Sequence, residues 1–402
     1  MIMRNCGRRR GCDKMSGEAA AGTGPQRIEV RPYVRLSTFL ERGFSDLQNT
    51  VTAKRICCLC GTCAAFCDKI AIRDIEAESG KKEPAFVEEY DTVCGLCYAF
   101  CPRTFLPQDE LEQRIFGEDR KRVTGDVLGI YRSGYAVRSK RADILEESQD
   151  GGAVTSLLAY ALDEKIIDCS VITSADEQWK PITKIARTYA ELLEAAGTKY
   201  TLHPSVLGVR AAIEEGCEQV GFVGLPCQIQ GIRKVQTAEQ PYEVGIKKVK
   251  LLIGLFCMEN FTDELLNFVG QRCLSGSLAG VRKFEIRGKE LLISEDGETH
   301  RIPLEELKSY IGEGCLVCMD YTAELADIAV GSVGSEEGWS TVFARTVLGE
   351  QVLNGAIDAG YLEVMNLGRN GLESIKRLAK RKKESGRRRR QPPTRFGVRW
   401  YQ

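Results

Sequence analysis

The sequence predicts an α/β (α+β) protein, a helix–strand body preceded by a small cysteine-dense segment. Three observations carry this. Short apolar strands alternate with amphipathic helices beyond residue 130. Seven cysteines at regular spacings crowd into residues 57–101. The 402 residues, 43% hydrophobic and 28% charged, suffice for two globular domains and exclude a disordered or fibrous chain.

Residues 1–50 form an N-terminal tail and connector, of which 1–26 lack periodicity and read as mobile. Residues 51–110 hold the dense cysteines, and a polar connector up to about residue 145 contains one strand, "GYAVRS". After "QDGGAVT", the spacing of Val154, Leu157, Leu158, Ala161 and Leu162 predicts a helix, and "CSVITSA" a buried strand. "YAELLEAAGTKYT", "SVLGVRAAIEEGCEQ", "VGFVGLP" and "VKLLIGLFC" continue the alternation. Residues 283–302 read as a β-meander with an Asp-Gly turn. Residues 350–380 read as helical and lead into a basic tail, 376–402.

The zero net charge hides a split. Four Arg in residues 1–10 and twelve Lys or Arg against one acid in 376–402 leave 40 basic against 55 acidic residues between them. The longest apolar stretches, such as "LLIGLF" at 251–256, fall far short of the roughly 20 residues that span a bilayer. No apolar h-region follows the N-terminal Arg residues, so a soluble chain without a secretory signal is expected. Seventeen cysteines in metal-like spacings suit a reducing cytoplasm, and two His leave little for His-based chemistry.

Cys57-x2-Cys60-x2-Cys63-x3-Cys67 is the ferredoxin run in which three thiolates hold one cubane and the fourth serves a second cluster. The competing reading is structural zinc, although three Cys at such short intervals crowd a tetrahedron. The second motif, Cys94-x2-Cys97-x3-Cys101-Pro102, has Asp91 where a leading Cys would stand. Swapped fourth ligands assign Cys57, Cys60, Cys63 and Cys101 to one [4Fe–4S] centre. Cys94, Cys97 and Cys67 serve the other, which is either Asp91-ligated or a three-iron cluster. Cys58 adjoins the first motif as a spare candidate, although this register gives it no place. Cys227, Cys257, Cys315 and Cys318 make a further four-thiolate set for iron or zinc, the first two in loops after short apolar strands. Cys6, Cys12, Cys169, Cys217 and Cys273 read as tail or core residues.

The strings "QDGGAVTSLLAYALDEKIID", "WKP", "AAGTKYT", "GLPCQIQGIRK", "GLFCMENF" and "CMDYTAELADIAVGSVGSEEGWSTV" make residues 130–375 resemble the coenzyme F420-reducing hydrogenase beta subunit. The F420H2 dehydrogenase input subunits, which add a ferredoxin segment, are similar. The resemblance implies a flavin-binding α/β domain that holds FAD without a Rossmann fingerprint, and the sequence contains no G-x-G-x-x-G. It also implies a cubane on Cys227, Cys257, Cys315 and Cys318, hence two to three clusters in all. Coenzyme F420 is the implied substrate, and the setting an archaeal, methanogenic, cytoplasmic redox complex, on or off the inner face of a membrane.

In that context Gly151, Gly152, Val154 and Thr155 are expected FAD contacts, against the plain reading of a turn before a helix. Thr198, Lys199 and Tyr200 sit in a loop able to meet phosphate, although an exposed Lys is usually just solvated. Ser335, Trp339 and Ser340 belong to a Gly-rich string, whose Trp either stacks on a ring or fills core; Trp179, beside Lys180, has the same two readings. Arg233 and Lys234 are further cationic candidates for the F420 tail. No side chain is singled out as catalytic, because hydride transfer is the cofactors' chemistry. The expected function is hydride exchange between F420 and FAD, with single electrons relayed through clusters to or from partner subunits. Two rivals are a same-fold FAD/iron–sulfur reductase for another substrate and a non-enzymatic electron-transfer or adaptor subunit. The basic C-terminal tail reads as a solvated extension, or as a surface for an acidic partner, nucleic acid or membrane.

Overall fold

The protein is described from a computed structural model over residues 41–75, 81–87, 94–117, 127–238, 244–274, 276–295 and 297–390. Asp91, Cys6, Cys12, the 1–26 tail and the segment beyond Arg390 lie outside these residues.

The ferredoxin-like segment contributes β1 (Ile70–Asp74) and β2 (Lys82–Phe86), an antiparallel pair with Ile70 opposite Phe86. Short helices at Thr62–Ala65 and Leu96–Phe100 carry its cysteine loops. The body contributes β3 (Ser133–Ser139), β4 (Cys169–Ala175), β5 (Pro181–Ala186), β6 (Val220–Gly224) and β7 (Val249–Leu255). The meander follows as β8 (Val281–Arg287), β9 (Glu290–Glu295) and β10 (Glu298–Pro303). Then come β11 (Ile328–Gly331), β12 (Ser340–Ala344) and β13 (Leu362–Asn366). Eight strands make one sheet in the order β13-β3-β12-β11-β7-β6-β4-β5. The central run β11-β7-β6-β4 is parallel, and its flanks are antiparallel. Every residue of β6 and all but the second and last of β7 are buried, as parallel strands covered on both faces must be.

One face is covered by helices Ala153–Asp163 and Val347–Asp358, through Leu157, Ala161, Val352 and Ala356. The other is covered by helices Leu207–Glu214 and Pro226–Thr237, by the C-terminal helix, and by the ferredoxin-like segment. Ala65, Phe66, Leu96, Ala99 and Phe100 share one apolar cluster with Phe222, Leu252, Phe343 and Ile375. The segment therefore packs as part of this face. Thr62 sits so close to Gly231 of helix Pro226–Thr237 that a β-carbon there would lie 2.1 Å from the Thr62 hydroxyl oxygen.

Two expectations change here. Residues 350–380 are not one helical stretch, because β13 interrupts them and pairs with β3, Leu362 opposite Ser139. The basic segment is also not a solvated extension in its described part: helix Arg369–Arg390 runs through it and buries Ile375, Ala379, Lys382 and Gly386.

Candidate functional site

In the parallel run, chain leaving the C-terminal end of β6 leads to Cys227, that leaving β7 leads to Cys257, and that leaving β11 leads to the Ser332–Trp339 loop. This is the edge at which α/β sheets place their sites. The Cys315 and Cys318 turn arrives from helix Glu313–Leu316, and Cys257 N–H donates to Tyr321 O (2.8 Å), fixing the two loops together.

The thiols act on one another in three adjoining sets. Cys57, Cys60 and Cys63 each feel the thiol of Cys101. Cys97 feels Cys94 first and then Cys67, and Cys67 feels Cys94. Cys63 also feels Cys97, and Cys97 feels Cys101, so these two sets adjoin. The third set is an inner one: Cys227 feels Cys318, Cys257 feels Cys318, and Cys315 feels both Cys257 and Cys318. Cys58, which the spacing left without a place, packs with Cys227 and Cys60. The second set opens onto a cleft of about 920 Å³ lined by Cys67, Cys94, Cys97, Asp68, Arg210 and Lys248 among others.

These sets fit iron–sulfur centres. The cysteines of all three are free thiols, and burial pushes those of Cys97 and Cys315 up to about 12, so thiolates there need a cation to hold them. Cations stand beside the inner set. Arg103 is buried, its guanidinium donates to Gly314 O (3.1 Å), and its Nε has no hydrogen-bond partner. Burial works against its charge, but Cys58, Cys318 and Cys227 hold it protonated. Lys382, reaching in from the C-terminal helix, donates to Cys257 O, and Cys318, Cys257 and Cys315 offset its burial. The helix is clamped by Lys383 on Glu324 and by Arg390 Nε on Val317 O (2.9 Å). Sequence reasoning kept Cys58 only as a spare beside the first motif, and missed Arg103 and Lys382.

The expected FAD residues converge on the loop 148–152. Gly151 N–H donates to Ser340 Oγ (3.1 Å), and a β-carbon on Gly151 would lie 2.4 Å from Val137 O and 3.0 Å from Trp339 C. Gly152 adopts φ +67° as the residue before helix Ala153–Asp163, whose first turn no side chain caps. Those N–H groups, with Val154 and Thr155 in the same turn, fit a pyrophosphate. The glycines themselves are filled by the chain's own atoms, so they seat the loop. Tyr200 O–H donates to Gln149 Oε1 (3.1 Å), accepts from Ile286 N–H (3.1 Å) and is hydrogen-bonded to Thr198. Ser335 Oγ donates to Trp339 O (2.8 Å). The meander adds two cations: Lys283 Nζ donates to Ser148 O (2.8 Å), and Arg287 pairs with Asp150 (2.8 Å).

Other expected contacts are employed elsewhere. Lys199 Nζ donates to Ala195 O, Ala196 O and Gly197 O (2.7, 2.7 and 3.1 Å), closing the end of the preceding helix Tyr189–Glu194 instead of facing a phosphate. Lys234 is fully buried and donates to Cys101 O and Phe105 O (2.5 and 2.7 Å). Arg233 pairs with Asp327 (2.8 Å), so neither is free for an F420 tail. Trp179 Nε1 donates to Val281 O (3.0 Å), and its ring packs edge-on against Phe284. It fills core.

A mixed-sheet α/β body brings thiols from the carboxyl ends of β6 and β7 against those of a ferredoxin-like segment, a donor set suited to electron transfer. Models of the coenzyme F420 hydrogenase/dehydrogenase beta subunit match the chain, the N-terminal part over residues 134–209 and the C terminus over 217–369. The chain belongs to this family. It is 42% identical to the coenzyme F420 hydrogenase subunit beta of Methanothermobacter thermautotrophicus over 268 residues, 64% of this chain and 93% of that one. It is 34% identical to one of the subunits of the F(420)H(2) dehydrogenase of Methanosarcina mazei, over 59% of this chain and 66% of that one. A chain of the F420-reducing [NiFe] hydrogenase complex from Methanosarcina barkeri, studied with xenon, superposes with TM-score 0.62 at 35% identity, covering 65% of this chain and 92% of that one. The ferredoxin-like segment precedes the matched models. No helix among the described residues is long and apolar enough to cross a membrane.

Proposed function

We propose that the chain is an iron–sulfur flavoprotein subunit that exchanges hydride between coenzyme F420 and FAD and passes single electrons through cubane centres to or from partner redox subunits. The observation that carries this is the contiguity of the three thiol sets, running from the carboxyl edge of the sheet to the cleft at Cys67, Cys94 and Cys97. Bound FAD would supply the step between a hydride pair and single electrons. The chain's own part is to hold and tune. The first turn of helix Ala153–Asp163 would bind pyrophosphate, while Ser340, Tyr200 and Arg287 fix the loop 148–152 beside it. Cys227, Cys257, Cys315 and Cys318 would hold the inner centre. Cys57, Cys60, Cys63 and Cys101 would hold the first ferredoxin-like centre, and Cys67, Cys94 and Cys97 the second. The few available acid–base groups suit this division, since neither His borders the thiol sets: His203 bonds Thr183 and His300 faces Glu295.

The test is anaerobic oxidation of reduced F420 by the reconstituted protein with a viologen dye, NADH serving as control donor. Dye reduction with F420H2 alone supports the reading. Bound FAD and a full iron complement without turnover on F420H2 would sink the F420 assignment.

A further inference from the structure

Cys58 sits at the seam between two thiol sets. It is 4% exposed and packs with Cys227 of the inner set and Cys60 of the first. The turn carrying Cys315 lies on the same spot from the other side. A β-carbon on Gly314 would stand 2.2 Å from Cys57 O and 2.9 Å from Cys58 N, so the Cys57–Cys58 peptide is pressed directly against the Cys315 loop. Arg103 closes the arrangement, its charge shared by Cys58, Cys318 and Cys227, and its buried Nε has no protein partner. A buried guanidinium that is bonded to Gly314 O and Cys318 yet keeps one unpartnered N–H beside these thiols points to an anionic occupant.

We propose that Cys58 is a thiolate ligand of the inner centre. Cys57 and Cys58 then serve two different centres, and one peptide unit joins the inner centre to the first ferredoxin-like centre. The inference rests on the reading that these thiols hold iron–sulfur clusters. Five thiols surround a four-cornered cluster, so Cys58 and its neighbour Cys227 would hold it with two of Cys257, Cys315 and Cys318, and the set implied by the resemblance is rearranged in this chain. The consecutive cysteines explain why the first motif carries an extra thiol at a position its spacing does not use.

The test uses the full chain, reconstituted anaerobically with iron and sulfide, in wild-type, Cys58→Ala, Cys227→Ala and Cys60→Ala forms. Iron per chain and low-temperature EPR spectra are measured in oxidised and dithionite-reduced protein. Cys227→Ala and Cys60→Ala identify the inner and first centres by the signals they remove. The expected result is that Cys58→Ala loses iron and removes, or converts to a three-iron signature, the same signal that Cys227→Ala affects. Unchanged iron and spectra would overturn the proposal, as would loss of the Cys60→Ala signal alone. If Cys58→Ala does not yield folded protein, Cys58→Ser keeps the volume, and a shifted inner-centre signal is then the expected result and an unshifted one the contrary. Wild-type protein that takes up no iron refutes the iron–sulfur reading itself, an outcome distinct from failure of the Cys58 assignment.

Discussion

Gly386 lies against Cys318 so closely that a β-carbon on Gly386 would fall 2.7 Å from the Cys318 carbonyl oxygen and 2.8 Å from Met319 Cγ. A glycine inside a helix ordinarily costs about 1 kcal/mol relative to alanine. Here the sign reverses, because the missing side chain is what lets the helix approach. Gly386→Val is expected to destabilise the protein by about 1–3 kcal/mol, the usual range for overpacking. Urea unfolding followed by circular dichroism checks this, and a midpoint equal to or above wild type would show that the helix does not need the contact.

Lys382 places a buried ammonium beside Cys318, Cys257 and Cys315. Reduction of a centre there adds negative charge, which a fixed cation stabilises. A unit charge acting over roughly 8 Å at an effective dielectric near 20 contributes about 2 kcal/mol, or about 90 mV for one electron. Lys382→Gln, which keeps a donor for Cys257 O, should lower the inner centre's midpoint potential by an amount of that order. An EPR-monitored redox titration reads it, and an unchanged potential would mean that the charge is screened.

Gly151 has Val137 O and Ser340 N where its β-carbon would go. Gly151→Ala should therefore displace the loop 148–152 and release flavin, while the iron content stays at the wild-type value. Paired absorbance and iron assays separate the two cofactors. Retention of full flavin by this variant would remove the loop from the FAD site.

His203 is held neutral. Burial is the main cause, with Lys82 adding to it, and together they bring its pKa down to about 4, while Nε2 bonds the Thr183 hydroxyl (2.8 Å). In the unfolded chain the ring titrates near 6.5. Between those values the unfolded state binds more protons, so His203 favours the fold fully above about pH 6.5. That contribution declines as pH falls to about 4, with a slope of at most about 1.4 kcal/mol per pH unit. His203→Gln should flatten the acid side of the stability profile by this amount. Superimposable wild-type and variant curves from pH 4 to 7 would contradict the assignment.

The cysteine spacings were legible because three cysteines of the first set lie within seven residues, where loop geometry is local. The strands leading to Cys227 and Cys257 were legible for a similar reason, since a strand buried on both faces is apolar throughout. Cys58 was legible only as a spare, because its neighbour Cys227 stands 169 residues away and no local pattern records the contact. The C-terminal helix misled for a different reason. Its inward positions Ile375, Ala379, Lys382 and Gly386 keep helical spacing, yet the last two are a lysine and a glycine. Periodicity counts apolar residues, and so it read a solvated end where the buried face meets thiols and carbonyls. Lys199 and Lys234 failed as phosphate contacts because backbone carbonyls, invisible in a side-chain pattern, claim their protons.

The helix that covers Cys318 is made only after every thiol it covers has been synthesised. On the ribosome, Cys58, Cys227, Cys257 and Cys318 all emerge before Lys382 and Gly386, and the sheet edge that gathers them can form while the inner set is still open to solvent. Metal loading of that set would thus have a window late in translation, which docking of the last helix would close. A chain stopped near residue 368 would keep its strands and its cysteines and still expose the inner set to oxygen.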